Sequence, residues 1–325
     1  MIIEFADECW KKDDDNWKRD LLRVLVILEK HEQHALLADT QMMLTWCHNN
    51  LNLYVDYFRT RLASAQSRSN ALKIVVSPDG APDVVGDPPW TISGSAVFDL
   101  VNRPLRLVLE NDQSDRKFVE STVSSFSGWC QKGWIVPAMG GGSTMEKDIA
   151  GSSIDTVARW RTFYLFDSDR LHPKELDVDW RPPGGDGCQG YQFETACKML
   201  PDQRWHRLNR RSIENYLPST VLNAVNQTAT SALFDTSVGT MAHFYNLKKG
   251  LAGDGVSPQD SNKVVRASRS DGFWTSLPQA LITALENGFG SKIADEFMNI
   301  SSSHLWPSDV ITEMNALADA LQDAM

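Results

Sequence analysis

Asp167 and Asp169 stand two residues apart, directly behind the run Thr162-Phe163-Tyr164-Leu165-Phe166. That run is β-branched and aromatic, which suits a buried strand. Residues two apart on an extended chain point to the same side, so the pair would place two negative charges in one small volume. A shared proton, a basic side chain or a divalent cation with oxygen ligands would offset the repulsion. Glu110 closes a second apolar run, Leu105–Leu109, and Gly140-Gly141-Gly142 closes a third, Trp134–Ala138. A glutamate and an Asp-x-Asp at the ends of neighbouring parallel strands can form a three-carboxylate cluster for one or two Mg²⁺ ions. The glycines would let a backbone or a phosphate approach closely, and the helix that follows would offer N–H donors to an anion; a plain flexible turn is the other reading.

The elements that must position these groups alternate strand and helix. After Glu110, Ser114-Asp115 starts a helix, with Ser114 as N-cap and Asp115 where the helix dipole favours negative charge. Ser143-Thr144 starts the helix after the triple glycine. Tyr191–Leu200 reads as a further helix, Trp205–Leu208 as a fourth strand, and Arg210 to Leu217 as a helix start stopped by Pro218. This order predicts a mostly parallel sheet with functional groups at the strands' carboxyl ends. Leu171 to Gly190, rich in Pro, Gly and Asp, is long for a connection and placed to act as a lid.

Around this centre the flanks read as helical. Three regions are expected: a mostly helical accessory region over 1–100, a catalytic α/β domain over 101–220 and a helical region over 221–325. Leu51, Tyr54, Phe58 and Leu62 have the spacing of one buried helix face, with Asn49 and Asn50 at its entry, while Val24–Leu28 suits either a helix or a strand. His31 and His34 lack the further ligands of a metal site and read as surface or interface residues. Pro78 to Pro89 reads as a loop or hairpin. Phe234, Val238, Met241 and Tyr245 make one expected helix face, Val310, Met314, Leu317 and Leu321 another, and Ala252 to Gly272 a mobile loop or contact surface.

The chain has 325 residues, 42% of them hydrophobic and 23% charged, the composition of a folded protein. Its net charge of −10 excludes a surface that coats nucleic acid non-specifically, though not a local basic groove. No apolar run is long enough to span a membrane and the N-terminus lacks a signal-peptide layout, so a cytoplasmic protein is expected. The five cysteines are never spaced Cys-x-x-Cys, which argues for reduced thiols over a disulfide framework or zinc site.

Taken in order, Glu110 with Ser114-Asp115 and Phe118 behind it, the glycine turn, Asp167-x-Asp169 and Arg210-Arg211-Ser212-Ile213-Glu214-Asn215-Tyr216-Leu217 resemble the Toprim domain. More narrowly, they are similar to the version found in overcoming-lysogenization-defect nucleases and related phage-defence effectors. The resemblance implies a Rossmann-like fold and metal-dependent cleavage of nucleic-acid phosphodiester bonds. By position, Glu110, Asp167 and Asp169 would be ligands of Mg²⁺ or Mn²⁺, Glu214 a fourth carboxylate and Asp115 a second-metal or supporting one. Arg210 and Arg211 could grip phosphates together with Gly141, Gly142 and Lys147, and His206 could transfer a proton. The bland alternatives are a solvated arginine pair and a plain strand histidine. The chain departs from the family in having Asn111 where glycine is usual after the first glutamate, and Ser143 where lysine often follows the glycines. It holds no Gly-x-x-x-x-Gly-Lys-Ser/Thr motif, so a separate ATPase subunit is the expected partner, beside a nucleic-acid substrate and a possible second copy of the chain. Two alternatives use the same residues: a haloacid-dehalogenase-type phosphatase built on the Asp-x-Asp pair, and a non-catalytic Toprim-like interaction module.

Overall fold

The computed structural model of the chain describes residues 1–64, 72–111, 113–141, 143–183, 187–200, 204–254, 269, 272–300 and 304–325. It is an α/β protein with two four-stranded parallel sheets, each carrying helices.

The first sheet corrects the expectation of a mostly helical N-terminal region. Strands β1 (Ile2–Phe5), β2 (Ala35–Leu37), β3 (Lys73–Ala81) and β4 (Trp90–Ile92) pair in the order β2-β1-β3-β4, all parallel. Two of them are only three residues long, too short to leave an alternating signature in the sequence. Pro78 to Pro89 therefore joins two parallel neighbours and is no hairpin. Val24–Leu28 lies within the helix Asp15–Lys30, whose buried Trp17, Leu21, Val24, Leu25 and Leu28 share one face; helical period outweighs β-branching here. The expected face from Leu51 to Leu62 is broken by a short 3₁₀ turn, Asn52–Tyr54, between helices Thr40–Asn50 and Val55–Ser64. Phe58 and Leu62 are buried, whereas Asn49 and Asn50 end a helix instead of opening one.

The second sheet follows the predicted alternation closely. Strands β5 (Leu105–Leu109), β6 (Ile135–Met139), β7 (Thr162–Phe166) and β8 (Trp205–Arg207) pair in parallel in the order β6-β5-β7-β8. Strand alternation splits their side chains between two cores. Leu105, Leu107, Leu109, Phe163 and Leu165 join the C-terminal helices in one cluster that runs to Met325. Val108, Tyr164 and Phe166 pack on the other face against Met145 and Ile149 of helix Ser143–Ile154 and Phe193 and Cys197 of helix Gln189–Cys197. Residues beyond 220 thus share a core with the central sheet. Val310, Met314, Leu317 and Leu321 form the expected buried face of helix Ser308–Ala324. The face expected from Phe234 to Tyr245 is divided: helix Gln227–Leu233 stops at Phe234, which is exposed, and a 3₁₀ segment, Gly239–Phe244, carries Met241.

The two sheets are tied together by helix Thr156–Arg161. Trp160 stacks edge-on against Trp90 at 5.5 Å, and the buried Arg161 guanidinium donates to the carbonyls of Arg103, Ala324 and Met325. Among the described residues no helix is long and apolar enough to cross a membrane.

Leu107 is fully buried at the centre of β5, so Leu107→Ala should lower the free energy of unfolding by about 2–5 kcal/mol in a urea titration.

Candidate active site

β5 is the first strand of its sheet, and the strands that follow it, β6 and β7, lie on its opposite sides. The connections leave in opposite directions there, which opens a crevice at the carboxyl ends of β5 and β7, the usual ligand site of an open parallel sheet. Glu110 immediately follows β5 and Asp167 immediately follows β7. The crevice is acidic from both walls. The Asp167 N–H donates to Glu110 Oε1 at 2.9 Å, and the Ile213 N–H donates to Asp167 Oδ1 at 2.9 Å, which brings the Glu214 turn alongside.

Asp169 reaches the site by a different route from strand alternation. Its backbone is left-handed, with φ 53°, so the extended chain has ended before it. A non-glycine residue is held there only where its surroundings determine it. Those surroundings are visible: the Asp169 N–H donates to the Arg211 carbonyl at 2.9 Å, Ser168 Oγ donates to the Arg210 carbonyl at 2.8 Å, and Asp169 Oδ2 accepts from the Gly190 N–H at 2.9 Å. Gly190 permits this approach. A Cβ there would lie 2.3 Å from the Ser168 carbonyl oxygen. Asn111 needs no left-handed turn; its Oδ1 accepts from the Gln113 N–H at 2.9 Å just ahead of helix Ser114–Thr122, whose N-cap is Gln113 and not the expected Ser114.

Glu110, Asp115, Asp167, Asp169 and Glu214 form one electrostatic cluster. Burial, then the charges of Asp169 and Asp115, push Glu110 up to about 8. Burial, with Glu110 and Glu214 beside it, raises Asp167 well above the carboxylate range, and burial raises Asp115 to about 6. Asp169 is also raised by burial, against the pull of the Gly190 N–H and Arg211. The cluster contains one cation that the motifs did not indicate. Lys248 Nζ lies 2.8 Å from Glu214 Oε1. Burial pulls the Lys248 pKa down, but Glu214, Asp167 and Asp115 outweigh it and raise it overall. Nothing around Lys248 in the sequence marks it, because its position depends on the fold of the C-terminal helices.

The other sequence candidates separate. Asp115 joins the cluster but spends both oxygens locally, on the Asn111 N–H and the Ser114 hydroxyl. Gly141 lies at the β5 end, where a Cβ would fall 2.5 Å from the Glu110 carbonyl oxygen; Gly142 is outside the described residues. Lys147 is exposed on helix Ser143–Ile154. His206 faces away, 3.4 Å from Glu313 Oε1 on the C-terminal helix. Both arginines are spoken for. Arg210 pairs with Asp309 at 2.6 Å, and Arg211 pairs doubly with Asp254 at 2.5 and 2.8 Å. Neither solvated face nor free phosphate grip describes them; they are internal braces.

The segment expected to be a lid is anchored in its described part. Glu175 accepts from the Leu171 N–H and from Arg269, while the Trp180 ring carries the guanidinium groups of Arg170, at 4.2 Å, and Arg269, at 5.1 Å. Beneath it a cavity of about 200 Å³ is lined by Asp169, Leu171, Gly187, Gln189, Arg211 and Arg269. Most of the expected loop from Ala252 to Gly272 lies outside the described residues.

The donor set suits a hard divalent cation, since every group is a carboxylate. Glu110, Asp167 and Asp169 each commit one oxygen to a backbone N–H, and Glu214 Oε2 is buried without a hydrogen-bond partner. Among the described residues, however, no three His, Cys, Asp or Glu side chains stand in an arrangement that could hold a metal ion as they are placed.

Two outcomes follow. Glu110 binds its proton more tightly folded than unfolded, so its contribution to stability is full below about pH 4.5 and is lost as pH rises toward 8. In chelator, melting temperature should fall over that window, and Glu110→Gln should flatten the fall. Gly190→Ala should lower the melting temperature at every pH by forcing the Asp167–Asp169 loop from its partner helix, as thermal denaturation would reveal. No protein-family model, no curated protein and no solved structure matches the chain.

Proposed function

We propose that the chain is a metal-dependent nuclease of the Toprim type, cleaving DNA or RNA phosphodiester bonds with Mg²⁺ or Mn²⁺. The observation that carries this reading is the gathering of Glu110, Asp167, Asp169 and Glu214 at the switch point of a parallel sheet, with charges that repel one another. So many buried like charges call for a cation. Glu110, Asp167, Asp169 and Glu214 would hold it, and when bound it would polarise a phosphodiester and acidify a water.

The chain's own residues supply position. Backbone N–H groups of Asp167, Ile213 and Gly190 fix one oxygen of each of three carboxylates, so little ordering is left for the moment of binding. Asp115 holds the turn behind Glu110, and the Arg211–Asp254 pair braces the loop behind Asp169. His206 takes no part, since it is turned to Glu313. An ATPase partner and a role in defence against foreign genetic elements extend this reading by resemblance.

Lys248 favours a second reading to one degree. A haloacid-dehalogenase-type phosphatase would use a lysine beside its nucleophilic aspartate, and Lys248 acts on Asp167. Glu110 on the neighbouring strand and Glu214 on the adjoining turn favour the nuclease.

Plasmid DNA, total RNA and p-nitrophenyl phosphate, each incubated with wild type and with Asp167→Ala in Mn²⁺, separate the readings. The nuclease reading expects cutting of a nucleic acid that falls at least about a hundredfold in the variant, from loss of one site carboxylate. Hydrolysis of the small ester alone would overturn it in favour of the phosphatase.

A further inference from the structure

Lys248 is the one cation that forms an ion pair with the carboxylate cluster among the described residues, and its geometry is unusual. Its partner Glu214 is almost fully buried, with a side chain 2% exposed, whereas Lys248 is 44% exposed. The ammonium therefore enters the crevice from solvent to reach a carboxylate that solvent does not. It covers only one oxygen, leaving Glu214 Oε2 buried and unpartnered. Arg211 and Arg269 act on Asp169 as well, yet Glu110, Asp115 and Asp167 stay raised by burial, so the cluster is only partly compensated.

The backbone under Lys248 is pinned while its side chain is not. The Phe289 N–H donates to the Leu247 carbonyl at 2.6 Å and the Gly290 N–H to the Lys248 carbonyl at 3.2 Å. Gly250 has φ +67°, and a Cβ there would lie 2.3 Å from the Glu286 carbonyl oxygen; a Cβ on Gly288 would lie 2.5 Å from the Leu247 carbonyl oxygen. The two glycines let the segments lie backbone to backbone, which fixes where the lysine stem begins. From that fixed root a flexible four-carbon stem can place its ammonium on Glu214 or withdraw it to water.

We infer that Lys248 is a tethered counter-ion that holds the carboxylate site in the absence of a divalent cation and must swing out of Glu214 for the cation to bind. This rests on the metal-dependent reading of the site. Lys248 is a positioning residue: it acts through Glu214, whose oxygens it occupies or releases. Two cations cannot share that volume without strong repulsion, so removing the tethered one should strengthen binding of the free one.

The test is calorimetric titration of the full chain with MnCl₂, comparing wild type, Lys248→Met, Lys248→Gln, Lys248→Arg and Asp167→Ala, with circular dichroism as the check on folding. Lys248→Met should bind Mn²⁺ about tenfold or more tighter than wild type, Lys248→Gln should follow it, and Lys248→Arg should stay near wild type. Without Mn²⁺, Lys248→Met should melt below wild type, because Glu214 loses its ion pair. Equal or weaker Mn²⁺ binding by both neutral variants, with wild type and not Asp167→Ala binding, overturns this inference and leaves the metal reading standing. Absence of binding to wild type overturns both. A lysine that only braced the fold would leave affinity unchanged or lower it, and should one neutral variant fail to fold, the other decides.

Discussion

The second half of the molecule is arranged around a repulsion. Five carboxylates crowd the carboxyl ends of β5 and β7, where burial alone already disfavours the charge of Glu110, Asp115, Asp167 and Asp169. Such a concentration would spring apart on a flexible chain. It is held here because each acidic residue is pinned by a different part of the scaffold: Glu110 by the Asp167 backbone, Asp167 by the Ile213 backbone, Asp169 by the N-terminus of helix Gln189–Cys197, Asp115 by the turn at Asn111, and Glu214 by Lys248. Backbone N–H donors favour the ionised forms and partly offset the desolvation.

Much of what lies further out can be understood as bracing for that edge. Arg210 grips Asp309 and Arg211 grips Asp254, and their carbonyls receive Ser168 Oγ and the Asp169 N–H. Ion pairs in such partly buried places are costly to break, since either partner alone would be left as an uncompensated charge. The segment after Asp169 is tied down by the Glu175–Arg269 pair and by the guanidinium groups of Arg170 and Arg269 over Trp180. Strain at the left-handed Asp169 is thus shared out among contacts that come from four separate stretches of chain.

The first sheet has the same strand order as the second, counted from its own first strand. No comparable gathering accompanies it among the described residues. Its acidic residues near the carboxyl ends, Asp7, Glu8 and Asp79, are exposed or nearly so, and Lys12 and Asp79 make only a surface pair of 3.4 Å. Strand order alone does not make a site; side chains at the strand ends do.

Local sequence determined β5 and β7 to the residue, and it placed Glu110 and Asp167 at their ends, because short buried strands of β-branched, leucine and aromatic residues stop sharply where charge begins. It also determined the buried face of the last helix through its 3.6-residue period. Three strands of the first sheet escaped it, since runs of three and four residues carry no readable alternation, and in the nine-residue β3 the signal is masked by Pro78 and Gly80. The partners of the arginine pair and of His206, which are Asp309, Asp254 and Glu313, were not legible, because a sequence states a side chain's type but not which of several partners its rotamer will find. Lys248 was invisible for the same reason. Its ammonium meets Glu214 only after Gly250 and Gly288 bring two backbones into contact, and that proximity is a property of tertiary packing alone.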